Sequence, residues 1–286
     1  MNDVEIQMLG LSRSGNHAIA DWIYMQAPAP KLMLNCAEGK TNPYLSCRPL
    51  DSGRGWQSEP AGLYASGRAG RHRDASLLLH SYEDSWLGHA FSRDLEAHHD
   101  AWLGRSRRRI SLIVLRDPFN LFASRLRADA GASGLAMRIW KQHARAVLGP
   151  QPALPGEFVP VLYNRWRSDP GYRQALADRL GLRFTDAGFD NVPACGGGSS
   201  FDGIDFDGKA AAMPTDQRWR VYADDPDYLR LFDAQAIALS TRLFGPPPPI
   251  PALAHEAAGP GEDQQFTGPT SGNGPGATGP ETASTG

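Results

Sequence analysis

The stretch Val4-Glu5-Ile6-Gln7-Met8-Leu9-Gly10-Leu11-Ser12-Arg13-Ser14-Gly15-Asn16-His17 decides how the rest of the chain is read. Val4 to Leu9 is an apolar-rich run of strand length. His17 to Met25 follows with Ile19, Trp22 and Ile23 at helical spacing. Between them, two glycines bracket a short loop, Gly10-x4-Gly15. A loop that joins a strand to a helix in this way aims backbone N–H groups and the helix N-terminus at one point, which suits an anion.

Outward from this unit, strands and helices keep alternating. Leu77 to Leu79 predicts a short strand that ends at His80. Ile110 to Leu115 is a continuous apolar run suited to a central parallel strand. Helices are expected through Leu121 to Leu126, over Leu135 to Leu148, from Asp169-Pro170 to Gly181, and from about Tyr228 to Phe244; Phe158 to Leu162 adds a strand. The alternation predicts an α/β fold, a parallel sheet flanked by helices and P-loop NTPase-like. Ligands of such sheets sit beyond the C-terminal ends of the strands. Residues 1–245 form this domain. Residues 246–286, rich in Pro, Gly, Ser, Thr and Ala, are expected to be a disordered tail.

The loop lacks the residues of a nucleoside triphosphatase. The usual sequence continues Gly-Lys-[Ser/Thr], lysine for the outer phosphates and hydroxyl for Mg²⁺. Here Asn16-His17 follow Gly15, and the cation present is Arg13. This composition fits a nucleotide bound without a metal. A second oxyanion site is expected after the central strand, in Leu115-Arg116-Asp117-Pro118 and on to Ser124. Arg116 leaves the sheet edge and Ser124 lies two turns into the next helix, so a guanidinium fork and a hydroxyl can share one phosphate.

These residues resemble the sulfotransferases that use 3′-phosphoadenosine 5′-phosphosulfate (PAPS). Arg13-Ser14-Gly15-Asn16-His17 is similar to the family's 5′-phosphosulfate loop, [Lys/Arg]-Ser-Gly-Thr-Thr. Arg116 with Ser124 eight residues later is similar to its 3′-phosphate motif. Tyr163 followed by Asp169-Pro170, Trp140-x-x-His143, and Gly197-Gly198-Ser199-Ser200-Phe201 resemble further family segments. The chain departs from the pattern at Asn16-His17 and at Asn164-Arg165, and it has no Arg-Lys-Gly triplet after Phe201. Arg218 or Arg220 is a candidate to stand in for that triplet.

The resemblance implies sulfuryl transfer from PAPS, with no metal, to a hydroxyl or amine of a small-molecule or carbohydrate acceptor. It places Arg13 at the leaving-group charge, with Ser14, Gly15, Asn16 and His17 beside it. Arg116, Ser124, Tyr163, Ser199, Ser200, Phe201 and Arg218 would hold the nucleotide. For the base, His80 sits where cytosolic members place a catalytic histidine, and Glu83 is the alternative used by other branches. A P-loop kinase and a non-catalytic nucleotide-binding module are the competing interpretations. Oligomeric state stays open.

Composition narrows the field further. The 286 residues are 41% hydrophobic and 21% charged, with a formal net charge of −2, against a general nucleic-acid binder. No run is long enough to cross a membrane. Three cysteines, Cys36, Cys47 and Cys195, make no CxxC pair, which suggests a reducing, cytoplasmic setting. Only four of the 29 Lys and Arg residues are lysines. His98-His99-Asp100 is expected on a solvated face and Arg105 to Arg109 in an exposed loop. The acceptor site is expected among Glu38–Asp74 and Ser81–Trp102, which hold Tyr44, Trp56, Tyr64, Trp86 and Phe91; Gly53 to Arg73 reads as a lid.

Overall fold

A computed structural model describes residues 1–48, 62–150, 152–194, 197–251 and 253. The elements run β1 (Asn2–Gly10), α1 (Asn16–Gln26), β2 (Lys31–Leu34), α2 (Pro43–Ser46), α3 (Leu63–Arg68), β3 (Ala75–Glu83), α4 (Leu87–Ala90) and α5 (Arg93–Leu103). They continue as β4 (Ser106–Leu115), α6 (Pro118–Arg127), α7 (Gly134–Leu148), β5 (Glu157–Leu162), α8 (Tyr163–Ser168), α9 (Pro170–Leu180), α10 (Pro226–Leu229) and α11 (Ala234–Phe244). The five strands form one sheet in the order β2-β3-β1-β4-β5, and every pairing is parallel.

The strands are buried on both faces because their apolar residues occupy both phases of the pleat. Ile6 and Met8, Leu77 and Leu79, Ile110, Leu112 and Val114, and Val159 and Val161 pack with Ile19, Trp22 and Ile23 of α1 and with Leu176 and Leu180 of α9. Leu9, Leu78 and Tyr82 join Leu95 and Leu103 of α5. A third cluster gathers Phe119 and Phe122 of α6, Ile139 and Trp140 of α7, and Ile237 of α11. With β1 at the centre, the register sets Gly10 level with Glu83 on one side and Val114 on the other. Three loop exits therefore meet at one edge.

Several expectations change. β3 runs three residues past His80, to Glu83, so His80 lies within the strand. The last helix is two helices, α10 and α11, because Asp233 caps Ala236 N at 2.9 Å and starts a new one. Arg105 lies in an exposed loop as expected, but the rest of Arg105 to Arg109 is strand. Ser106 opens β4, and Arg108 and Arg109 pair with Glu157 and Glu96 at 2.6 and 2.9 Å. Past residue 245, Ile250 and Leu253 are buried against the α6–α7–α11 cluster. The tail from 254 on, Trp56 and Cys195 lie outside the described residues, as does the first part of the expected lid. Among the described residues, no helix is long and apolar enough to cross a membrane.

Candidate functional site

The loop between β1 and α1 is held in a shape that few residues accept. Gly15 has φ 90°, and a Cβ there would sit 2.3 Å from the Tyr163 ring. Arg13 also takes the left-handed region, φ 71°, which costs an ordinary side chain of order 1–3 kcal/mol and marks functional segments. The first turn of α1 has no side-chain cap. The other described helices of ten or more residues are capped, by Ser92, Asp117, Ser133, Asp169 and Asp233. The N–H groups at the start of α1 are thus left to a ligand or solvent.

Arg125 anchors this loop from α6, donating to Ser12 O and Oγ at 3.1 and 2.6 Å and to Asp84 Oδ1 at 2.6 Å. The Asp84 carboxylate in turn accepts from Ser12 N at 3.1 Å.

Above the strand ends lies a cleft of about 590 Å³, lined in part by Arg13, Gly15, Asn16, His17, Glu83, Arg116, Ser124, Tyr163, Ser199, Ser200 and Arg218. Five arginines line it, Arg13, Arg48, Arg116, Arg167 and Arg218. Arg13 donates to Ser200 Oγ at 2.6 Å and to Gly198 O at 3.0 Å. Arg116 donates to Arg13 O at 3.0 Å, to Ser124 Oγ at 3.3 Å and to Thr215 O at 2.6 Å, with its guanidinium over the Tyr163 ring. Arg218 donates to Ser199 Oγ and Asp202 at 2.9 and 2.7 Å.

Burial, followed by repulsion from Arg116, holds the Arg218 guanidinium down to about 10. Arg13 is lowered by burial first and by Arg116 as well, with the Glu83 charge opposing. Like charges packed this closely are what an anionic ligand relieves. Arg116 Nε, Arg218 Nε and Ser14 Oγ are buried without a hydrogen-bond partner among the described residues, donors that an anion or water can satisfy.

The phosphate-site residues expected from sequence are therefore brought together, with two exceptions. Ser14 is buried beneath the loop, and Phe201 lies outside the cleft lining, its ring 4.7 Å from the Arg218 guanidinium. Arg218, not the exposed Arg220, reaches the cleft, because Asn120 Oδ1 accepts from its backbone N at 2.8 Å and turns the segment inward. Thr215, Ser12, Asp84, Arg125, Asn35 and Cys36 were missed. They carry backbone or loop contacts that leave no sequence pattern.

His80 is corrected. Its side chain is fully buried, three residues back from the strand end, and lines no part of the cleft. Its ring contacts Tyr82 Oη at 3.0 Å and Glu5 Oε1 at 3.2 Å. The same Glu5 accepts from His99 at 2.8 Å, so His99 too is buried rather than solvated. Burial works to raise the Glu5 carboxyl, but the His80 and His99 hydrogen bonds win and hold it well below the usual range; the Glu5 contact raises His99 against its own burial. This is a sealed polar knot under the sheet.

Glu83 does reach the cleft, with Asp84 beside it. Glu83 accepts from Asn16 Nδ2 at 2.8 Å, and Asn16 also donates to Leu11 O at 3.0 Å. Of the stretches expected to form the acceptor site, Arg48, Glu83 and Asp84 line the cleft, whereas the described aromatic residues do not. Tyr44, Tyr64 and Phe91 pack into the α5-side core, where Tyr64 donates to Tyr44 O at 3.1 Å. Neither they nor Trp86 line the cleft.

Trp140 donates to Arg116 O at 2.9 Å, and His143 contacts Ser85 O at 3.0 Å, so α7 holds the loops that carry Arg116 and Glu83.

No family model and no curated protein matches this chain. Solved structures similar to it include the sulfotransferase domain of the Synechococcus PCC 7002 olefin synthase, 16% identical, covering 84% of this chain and 94% of that one at a TM-score of 0.47. Mouse sulfotransferase SULT7A1 complexed with PAP is 11% identical over 83% of this chain and 84% of that one, TM-score 0.42. The sulfotransferase domain from the curacin biosynthetic pathway is 13% identical over 90% and 96%, TM-score 0.38.

Proposed function

We propose that this chain is a sulfotransferase that moves the sulfuryl group of PAPS to a hydroxyl or amine of a small acceptor, without a metal. The observation that carries it is the convergence of Arg13, Arg116 and Arg218 on one cleft, with the buried Nε atoms of Arg116 and Arg218 left without a partner among the described residues. Two separated anionic groups match this layout. The β1–α1 loop and Arg13 would receive the 5′-phosphosulfate end. Arg116 and Ser124, with Arg218 and Ser199, would receive the 3′-phosphate.

In this reaction the acceptor atom bonds to sulfur as the bond from sulfur to the phosphate oxygen breaks. Arg13 and the loop amides take up the charge on the leaving oxygen. The acceptor proton goes to Glu83, held in place by Asn16. A lysine and a hydroxyl at positions 16 and 17 would favour a magnesium-dependent kinase; Asn16-His17 supply neither.

The test is calorimetric titration with adenosine 3′,5′-bisphosphate in EDTA, with ATP and 5′-AMP as controls, followed by turnover of labelled PAPS. Micromolar binding that requires the 3′-phosphate supports the assignment. Preference for Mg-ATP, or no binding, sinks it. Binding without turnover against a panel of hydroxyl and amine acceptors points to a non-catalytic nucleotide-binding module.

A further inference from the structure

His17 in the first turn of α1, Cys36 just after β2 and Glu83 at the end of β3 come from three separate segments. Yet one ligating atom of each lies within 4.8 Å of the others. All three are half-buried and line the cleft. Cys36 is held firmly. Its backbone N donates to Ser81 Oγ at 2.9 Å, and the next residue's N donates to Ser81 O at 2.7 Å. The buried Asn35 places its Oδ1 3.1 Å from His17 Nε2 and 3.5 Å from Cys36 Sγ, tying two of the three groups to one amide.

A nitrogen, a sulfur and a carboxylate oxygen on distinct elements form the mixed donor set of a borderline-soft divalent ion. Ligands about 2.0–2.3 Å from such an ion lie about 3.3–3.8 Å apart, so closing on it needs shifts of no more than about 1 Å. The rotatable Glu83 and His17 side chains can supply them. Thiolate and carboxylate together offset the charge of a dication. Arg13, which interacts with the Glu83 charge, opposes it, so the hold rests on Cys36 and His17.

We propose that His17, Cys36 and Glu83 bind one thiophilic divalent cation of the Zn²⁺ class, and that its occupancy withdraws Glu83 from proton transfer and inhibits the chain. The binding half stands by itself; the inhibitory half rests on the proposed sulfuryl transfer.

The probe is Co²⁺ titrated into the full chain, read by the near-ultraviolet thiolate-to-Co²⁺ charge-transfer band. One equivalent should develop the band, and Zn²⁺ should abolish it by displacement. Cys36→Ser should lose it while keeping the wild-type melting temperature. His17→Ala should weaken Co²⁺ binding by more than about 10-fold. Cys47→Ser should leave the band intact. Absence of the band in the full chain, or its persistence in Cys36→Ser, overturns the site. In the PAPS assay, Zn²⁺ should inhibit wild type and spare Cys36→Ser. If Zn²⁺ binds and turnover is unaffected, the inhibitory half falls. If Zn²⁺ binds and PAPS is never turned over, the transfer assignment fails and the metal site remains.

Discussion

Arg116, the first residue beyond β4, donates a 3.0 Å hydrogen bond to the carbonyl oxygen of Arg13 in the β1–α1 loop. The two cations are thus coupled through backbone. The residue that would grip one phosphate also holds the loop that would cradle the other. Its remaining bonds, to Ser124 Oγ and Thr215 O, leave Nε buried and without a partner among the described residues. Removing this side chain loosens both ends of the cleft together.

Arg116→Ala should therefore weaken binding of adenosine 3′,5′-bisphosphate by about 10–100-fold, the scale of one charge-assisted hydrogen bond. Arg116→Lys should recover little of it, because a lysine cannot reproduce the fork to three acceptors. Calorimetric titration decides; unchanged affinity in both variants removes the site assignment.

Gly15→Ala should fail on two counts. The residue sits at φ 90°, and the new methyl carbon would lie 2.3 Å from the Tyr163 ring. Backbone strain alone costs about 1–3 kcal/mol. A lower melting temperature with loss of nucleotide binding is expected, and a wild-type titration curve would contradict it.

Glu83→Gln keeps an oxygen for Asn16 but cannot take a proton. Its PAPS turnover should drop by about 10²–10⁴-fold with little change in the KM for PAPS. His80→Gln should lower the melting temperature and leave the pH profile of turnover where it was. If the His80 variant instead moves that profile, His80 takes part in the proton transfer.

Burial pushes the His143 imidazole down to about 4, against the Ser85 carbonyl contact. A histidine depressed in the folded state stabilises the fold above its ordinary 6.5 and loses that contribution as pH falls. About 3 kcal/mol should disappear between roughly pH 6.5 and 4. Urea midpoints across that range, compared with His143→Gln, should show the slope in wild type and a flatter curve in the variant.

The Glu5 knot gives a different profile. The lowered Glu5 carboxyl contributes stability above its ordinary 4.5 and loses it in acid; the raised His99 contributes below its ordinary 6.5 and loses it as pH rises through its folded value. Wild type should exceed Glu5→Gln most between about pH 4.5 and 6.5, by the ~3–5 kcal/mol typical of a broken buried pair. A difference independent of pH would show that the knot is not ionised.

By itself the sequence determined the parallel α/β sheet, the lysine-free loop and the arginine–serine pair, because each is written in neighbouring residues. The apolar runs of β1, β3 and β4 report burial on both faces, and Gly15 and the Asp117-Pro118 start of α6 are local backbone chemistry. Only the tertiary structure decided which polar residues face the cleft. His80 and Glu83 are three positions apart on one strand, about 10 Å along it. An odd step also turns the side chain to the opposite face. Strand length sets which of them emerges at the sheet edge, and that length is fixed by pairing with β1, not by the residues themselves. The same holds for His99 beneath Glu5, Thr215 against Arg116 and Cys36 beside His17. Each meeting is made by chain segments distant in sequence or by a loop turn, and their positions become related only when the sheet and its helices pack.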